Sequence, residues 1–122
     1  MDNRKIAVLV VEDEVLIRMA MVEELEDAGF EVFEASNADQ AIDTLVANSR
    51  IDVMFTDIDM PGGVNGLRLA ASVRDRWPPI KIIVTSGHHR IKVEALPVEA
   101  RFVGKPYDPL AIIRSIREMT AS

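Results

Sequence analysis

The chain has 122 residues, 48% of them apolar, which fills one hydrophobic core and matches the commonest size of a single domain, so residues 1–122 are read as one unit. Against 14 basic residues stand 20 acidic ones, a formal net charge of -6 that supplies no basic stripe for a nucleic-acid backbone and argues against direct duplex binding. Cysteine is absent, which excludes a disulfide framework and a thiolate zinc site, and the apolar run behind Met1-Asp2-Asn3-Arg4-Lys5 reaches Glu12 far too soon for a membrane span; a cytoplasmic location without membrane contact is the expectation.

Ile6 to Val11 is a continuous apolar run of the kind expected for a strand buried on both faces. Asp13 or Glu14 then opens a helix whose apolar positions Val15, Met19, Val22 and Leu25 recur at helical spacing, with Gly29 closing it as a left-handed cap. The acidic cluster Glu23, Glu24, Glu26 and Asp27 reads as the wet side of this helix. Glu31 to Ala35 alternates polar and apolar residues, which suits a strand near the sheet edge. Ser36-Asn37-Ala38-Asp39 has the spacing of a capping box, and Ala38, Ala41, Ile42 and Leu45 form the inner stripe of a second helix.

Val53 to Thr56 is the third strand, followed by Met60-Pro61-Gly62-Gly63, a loop by its proline and glycines. Leu67, Ala70 and Val73 give the third helix its inner face, and Trp77-Pro78-Pro79 ends it because prolines cannot continue the hydrogen-bond ladder. Ile80 to Thr85 is the fourth strand. Between Gly87 and Ala100, Ile91, Val93 and Leu96 line one side of a short helix that Pro97 stops early. Arg101 to Gly104 is the fifth strand, and Asp108-Pro109 sets a capping side chain before a first-turn proline, opening a last helix with Leu110, Ile113 and Ile116 inward.

Five strands alternating with five helices imply an α/β fold, a parallel sheet covered on both faces through right-handed crossovers. At this length the flavodoxin-like, doubly wound order 2-1-3-4-5 is the economical arrangement, with a ligand crevice at the carboxyl ends of strands 1 and 3.

Four of the strands end in polar groups of different chemistry: Glu12-Asp13, Asp57, Ser86 and Lys105. Taken singly, each has a plainer reading. Glu12 and Asp13 suit a helix N-terminus, Lys105 a salt bridge, Ser86 a turn. Together at one sheet edge they form a site. Three carboxylates in one crevice repel one another unless a hard, oxygen-seeking cation neutralises them, and magnesium, which keeps waters and leaves room for phosphate oxygens, suits best. Asp13 and Asp57 are assigned as direct ligands of Mg2+, the backbone carbonyl of Asp59 as a third, and Glu12 through water. A carboxylate attacking phosphorus also needs its target's oxygens offset by positive charge and hydrogen-bond donors. Asp57 as nucleophile, Mg2+ and Lys105 as charge clamps, and Ser86 with the Gly87 amide as phosphate-binding donors supply that set; the product is an aspartyl phosphate.

These residues resemble the receiver domains of two-component response regulators, the CheY-like superfamily. The motifs that carry the resemblance are Val11-Glu12-Asp13-Glu14, Thr56-Asp57-Ile58-Asp59-Met60-Pro61-Gly62, Thr85-Ser86-Gly87-His88 and Gly104-Lys105-Pro106-Tyr107, in order along essentially the whole chain. The resemblance implies that a sensor histidine kinase or a histidine phosphotransfer protein donates the phosphoryl group to Asp57. It implies that the receiver assists its own phosphorylation and dephosphorylation without being a multiple-turnover enzyme, and that the change switches binding of a downstream effector protein. It also implies a cis bond after Lys105, an aromatic switch at Phe102, and phosphate lifetime tuned from Asp59 and His88. Ser86 is preferred to Thr85 because the following Gly and His fit the pattern and Thr85 then points the opposite way on its strand.

Three departures bear on signalling. Gly62-Gly63-Val64-Asn65-Gly66 is slightly longer than usual, Thr85 and Ser86 are both hydroxylic, and the Ser86 to Lys105 segment is short, so the fourth helix is expected to be abbreviated and partner geometry is not carried over. His88-His89 lacks a third soft ligand for a transition metal. With no output domain after Ser122, a stand-alone receiver is expected. The rival readings are a haloacid dehalogenase-like phosphatase built on Asp57 and Asp59, a flavodoxin-like cofactor binder, and a phosphorylation-independent interaction module. The first requires its acidic pair after the first strand, and the second a Ser/Thr-rich loop where this chain has carboxylates; the intact acidic and basic positions argue against the third.

Overall fold

The computed structural model describes residues 4–48, 50–59, 66–87 and 100–121, and there the alternation of the sequence becomes one sheet. In chain order the elements are β1 (Ala7–Val11), α1 (Val15–Asp27), β2 (Glu31–Ala35), α2 (Ala38–Ala47), β3 (Val53–Asp57), α3 (Gly66–Arg76), β4 (Lys81–Ser86), β5 (Arg101–Gly104) and α4 (Pro109–Thr120). The strands lie in the order β2-β1-β3-β4-β5, every neighbouring pair parallel. The sheet order is the one the alternation predicts. The short helix expected around Ile91 to Leu96 and the Met60 to Gly63 loop lie outside the described residues.

The continuous apolar runs became the central strands because both of their faces are covered: every residue of β1 and of β3 is buried. On one face Leu9, Val11, Met54, Ile82 and Val84 meet Leu45 of α2 and Leu69, Ala70 and Val73 of α3. On the other, Val8, Val10, Val53, Phe55 and Ile83 meet Met21 and Leu25 of α1 and Ile112 and Ile116 of α4. Each such side chain contributes about 1.5–3 kcal/mol relative to exposure, so these two layers hold the strand ends in place. The alternating run of β2 and the short β5 form the half-exposed edges. No helix among the described residues is long and apolar enough to cross a membrane.

Local signals set the helix ends. Gly29, at φ +98°, follows the last turn of α1, and Asp108 accepts a hydrogen bond from the Leu110 N–H (2.9 Å) in front of Pro109. The cap of α2 is displaced by one residue from the predicted box. Asn37 is the N-cap and accepts from the Gln40 N–H at 2.8 Å, while the Gln40 side chain reaches back to the Ser36 N–H at 2.9 Å.

Two helices turn differently from their predicted faces. In α1 the buried residues are Met21 and Leu25, whereas Val15 and Met19 are 54% and 57% exposed. The first turns of α1 are apolar on several sides, so periodicity gave no single phase, and Arg18 occupies an inward position. In α4 the inward residues are Ile112, Ser115 and Ile116, and Leu110 is 60% exposed. A serine in the buried stripe disguised it. In α3 the buried leucine is Leu69, with Leu67 half-buried.

The α4 assignment has a direct test. Ile112→Ala is expected to lower the unfolding free energy by about 2–5 kcal/mol, and Leu110→Ala to stay within about 0.5 kcal/mol of wild type in urea denaturation. A larger loss at Leu110 would restore the face predicted from periodicity.

Candidate functional site

The chain runs outward from β1 to β2 and then returns to the other side of β1 to lay down β3, β4 and β5. Helices on opposite faces diverge at this reversal and leave a crevice beyond the carboxyl ends of β1 and β3. The parallel ladder continues to the rim of that crevice: the Glu12 N–H donates to the Ala35 carbonyl (3.0 Å), the Ile58 N–H to Thr85 (3.0 Å) and the Lys105 N–H to Ser86 (3.1 Å). Backbone hydrogen bonds thus fix where Glu12, Asp57, Ser86 and Lys105 begin.

Their side chains meet. Glu12 and Asp57 are each only 3% exposed, Asp13 is half-buried, and one carboxylate oxygen from each of the three lies within 4.8 Å of the others. Lys105 Nζ donates to Asp57 Oδ2 at 2.6 Å and stands 4.0 Å from Glu12 Oε1. The Asp59 N–H donates to Asp57 Oδ1 at 2.8 Å, and the Asp13 N–H to Glu12 Oε2 at 3.0 Å. The Asp59 carbonyl assigned to the cation therefore belongs to a residue already bonded to Asp57.

Charge follows from this crowding. Burial, then the Asp57 charge and hydrogen bonds within the cluster, push the Glu12 carboxyl up to about 8. Burial alone would pull the Lys105 amine down, but the hydrogen bond and charge of Asp57, with the charge of Glu12, outweigh it and raise it. Burial and the Glu12 charge raise the Tyr107 hydroxyl. Among the described residues, three carboxylates against one ammonium leave two formal negative charges on an all-oxygen donor set that is open to water through Asp13. A hard divalent cation fits such a set; without one, a carboxyl must stay protonated.

At the end of β4 the two hydroxyls part. Ser86 Oγ donates to Asp59 Oδ2 at 2.7 Å, and the Gly87 N–H reaches the same oxygen at 3.2 Å. Thr85 Oγ1 is buried and has no hydrogen-bond partner among the described residues. Phe102 of β5 pairs with Val84 of β4 and is 37% exposed, and the Lys105-Pro106 bond is cis. Beside Lys105 a groove of about 550 Å³ opens between α1 and the β5–α4 connection, lined by Ile17, Ala20, Met21, Glu24, Pro106 and Tyr107 among others. Asp57 closes the third strand in the chain and not the first, so it does not stand where the dehalogenase reading needs it. His88 and His89 lie outside the described residues.

Two positions, and one contact of a residue already named, did not emerge from the sequence as builders of the site. Arg18 donates from Nη1 to the Glu12 carbonyl (2.7 Å) and from Nε to Glu34 Oε1 (3.0 Å), tying the acidic loop to β2. On a helix it reads as an ordinary exposed charge. Gly66 opens α3 so close to β3 that an added Cβ would stand 2.5 Å from the Asp57 carbonyl oxygen and 2.6 Å from Ile58 Cα; a glycine inside an apolar helical pattern is the signal that marks it. The contact is that of the Asp59 carboxylate, whose hold on Ser86 and Gly87 no spacing rule reveals.

Comparison with known proteins adds a family to this geometry. A family model described as response regulator receiver domain matches residues 8–117. Sensor kinase CckA of Brucella abortus is 31% identical over 116 residues, covering 92% of this chain and 12% of that kinase. Chemotaxis protein CheY of Thermotoga maritima is 30% identical over 117 residues, covering 93% of this chain and 96% of that protein. A solved response regulator receiver domain protein from Clostridium thermocellum is similar in shape, with a TM-score of 0.86 at 25% identity over 93% of both chains.

The Glu12 shift sets the sign of a pH effect. From its ordinary value of 4.5 up to about 8, the unfolded chain ionises Glu12 while the folded cluster keeps it protonated. The folded state binds more protons through this window, so its stability falls as pH rises across it, by at most about 1.4 kcal/mol per pH unit. Glu12→Gln cannot ionise. In chelator-treated protein, the stability difference between the two measured by urea unfolding is expected to turn against wild type as pH rises; a difference that stays constant with pH contradicts the assignment.

Proposed function

The chain belongs to the receiver domains of two-component response regulators, and from that premise we propose that Asp57 accepts a phosphoryl group from the phosphohistidine of a sensor histidine kinase or histidine phosphotransfer protein. The observation that carries the reading is the 2.6 Å contact from Lys105 Nζ to Asp57 inside the acidic cluster. A carboxylate held at a strand end, beside an ammonium and within reach of Ser86 and the Gly87 N–H, has the partners that phosphoryl transfer requires.

An Asp57 carboxylate oxygen forms the new bond to phosphorus as the donor's P–N bond breaks, and the departing imidazole nitrogen keeps the electron pair. Lys105 is fastened to β4 through its own N–H, so its amine is delivered to the same place in every molecule and neutralises charge on the phosphoryl oxygens. Ser86 and Gly87 supply hydrogen bonds to the remaining oxygens. Asp13 and Asp57 would hold Mg2+ directly, with the Asp59 carbonyl as a third protein ligand and Glu12 through water; when bound, the ion adds positive charge at the phosphoryl oxygens. Arg18 positions this loop by holding the Glu12 carbonyl.

Each Asp57 takes one phosphoryl group, so the domain assists its own modification and is a switch, not a multiple-turnover enzyme. Phe102 sits next to β4 at the Val84 register, two residues before Ser86, and reports the change to an effector protein by altering its ring position. On this reading the protein works in the cytoplasm, where such partners present their phosphohistidine.

Incubation with acetyl phosphate and Mg2+ followed by intact mass tests the reading. Wild type is expected to gain one phosphoryl mass, Asp57→Asn none, and Lys105→Ala to label about tenfold more slowly or worse. Labelling of Asp57→Asn equal to wild type, or sustained turnover of p-nitrophenyl phosphate, overturns it.

A further inference from the structure

The end of β4 presents two hydrogen-bond donors to the crevice, and both are already in use. Ser86 Oγ gives its proton to Asp59 Oδ2 at 2.7 Å, and the Gly87 N–H points to the same oxygen at 3.2 Å. The main chain of Asp59 is tied to the phosphoacceptor at the same time, through its N–H to Asp57 Oδ1 at 2.8 Å. One residue thus touches Asp57 with its backbone and occupies, with an anionic oxygen, the donor pair assigned above to the phosphoryl group.

A hydroxyl has one proton to give and so does an amide. Neither can serve the Asp59 carboxylate and a phosphoryl oxygen together at full strength. Both acceptors are anionic oxygens and form charge-assisted bonds of similar kind, so the exchange is between competitors of comparable strength. We propose that the Asp59 carboxylate is an internal stand-in for the phosphoryl group: it keeps the Ser86 hydroxyl and Gly87 amide aimed into the crevice before phosphorylation, and it must release them when Asp57 is modified.

Asp59 is on this view a positioning residue with two opposing effects. It orders the donors in advance, which favours their later use, and it opposes the anion that needs them. The proposal rests on the phosphoacceptor reading and adds a barrier within it. It also distinguishes contact from mere proximity of charge. A negative charge near the crevice would weaken anion binding by the same factor whether or not Ser86 had its hydroxyl. A competitor for that hydroxyl would not, because removing Ser86 Oγ from wild type also removes what the competitor holds.

Beryllofluoride binding in the presence of Mg2+, followed by fluorine NMR, provides the test in wild type, Asp59→Ala, Ser86→Ala and the double variant. Asp59→Ala is expected to bind about tenfold more tightly than wild type. Ser86→Ala is expected to weaken binding little in the wild-type background and about tenfold in the Asp59→Ala background, a positive coupling between the two positions. In chelator-treated protein without beryllofluoride, the Gly87 amide proton resonance is expected to shift in Asp59→Ala as it loses its acceptor. Equal Ser86→Ala factors in the two backgrounds, or an unmoved Gly87 resonance, overturns the stand-in while leaving the phosphoacceptor reading in place. Failure of every variant to bind beryllofluoride overturns both.

Discussion

A carboxylate buried beside a second carboxylate is the constraint around which this molecule is arranged. Asp57 lies in a crevice beside Glu12, and among the described residues the ammonium in contact with it comes from the far edge of the sheet, on Lys105. A charge taken out of water in this way is tolerated only with a partner held in good geometry and with its other oxygen satisfied. Both conditions are met by backbone order: Lys105 is pinned to β4, and the Asp59 N–H serves the second Asp57 oxygen. Glu12 stands farther from the same ammonium, at 4.0 Å, and burial beside a second carboxylate pushes its carboxyl up to about 8.

The demand for precision explains why so much of the surrounding structure is backbone ladder and apolar layer. The four strand ends that build the crevice are consecutive in the sheet from β1 to β5, and their register fixes the carboxylates, hydroxyl and amine relative to one another before any side chain chooses a rotamer. The two hydrophobic layers above and below resist shear between strands. Arg18 extends the same restraint to the loop after β1, which has no ladder of its own beyond Glu12.

How much of this was legible depended on whether a feature is written along the chain or across it. The β-α alternation, the uniform burial of β1 and β3, the alternating edge strand β2, and the caps at Gly29 and Asp108 are all local, and the sequence carries them directly. The polar residues at the strand ends follow once the sheet order is deduced, because topology alone brings them to one edge. Helix faces were harder. In α1 and α4 apolar residues occupy more than one stripe, and a polar member, Arg18 or Ser115, stands in the inward one, so periodicity had two solutions. The second role of Asp59 was the least accessible: it depends on which way a half-buried side chain turns at the rim, and Ser86, Gly87 and a metal all suit the same oxygen chemistry.

Gly66 carries a consequence for how movement at the end of β3 is observed. With hydrogen where any other residue has carbon, α3 begins in van der Waals contact with the main chain of Asp57 and Ile58, so those atoms cannot shift toward the helix without moving it. The helix runs roughly 16 Å from that contact to its last residue, Arg76, whose guanidinium lies 4.4 Å over the ring of Trp77, the single indole of the chain. The strand end at one end of this rod is mechanically joined to an indole at the other, which makes Trp77 fluorescence an optical gauge of movement at the Asp57 main chain.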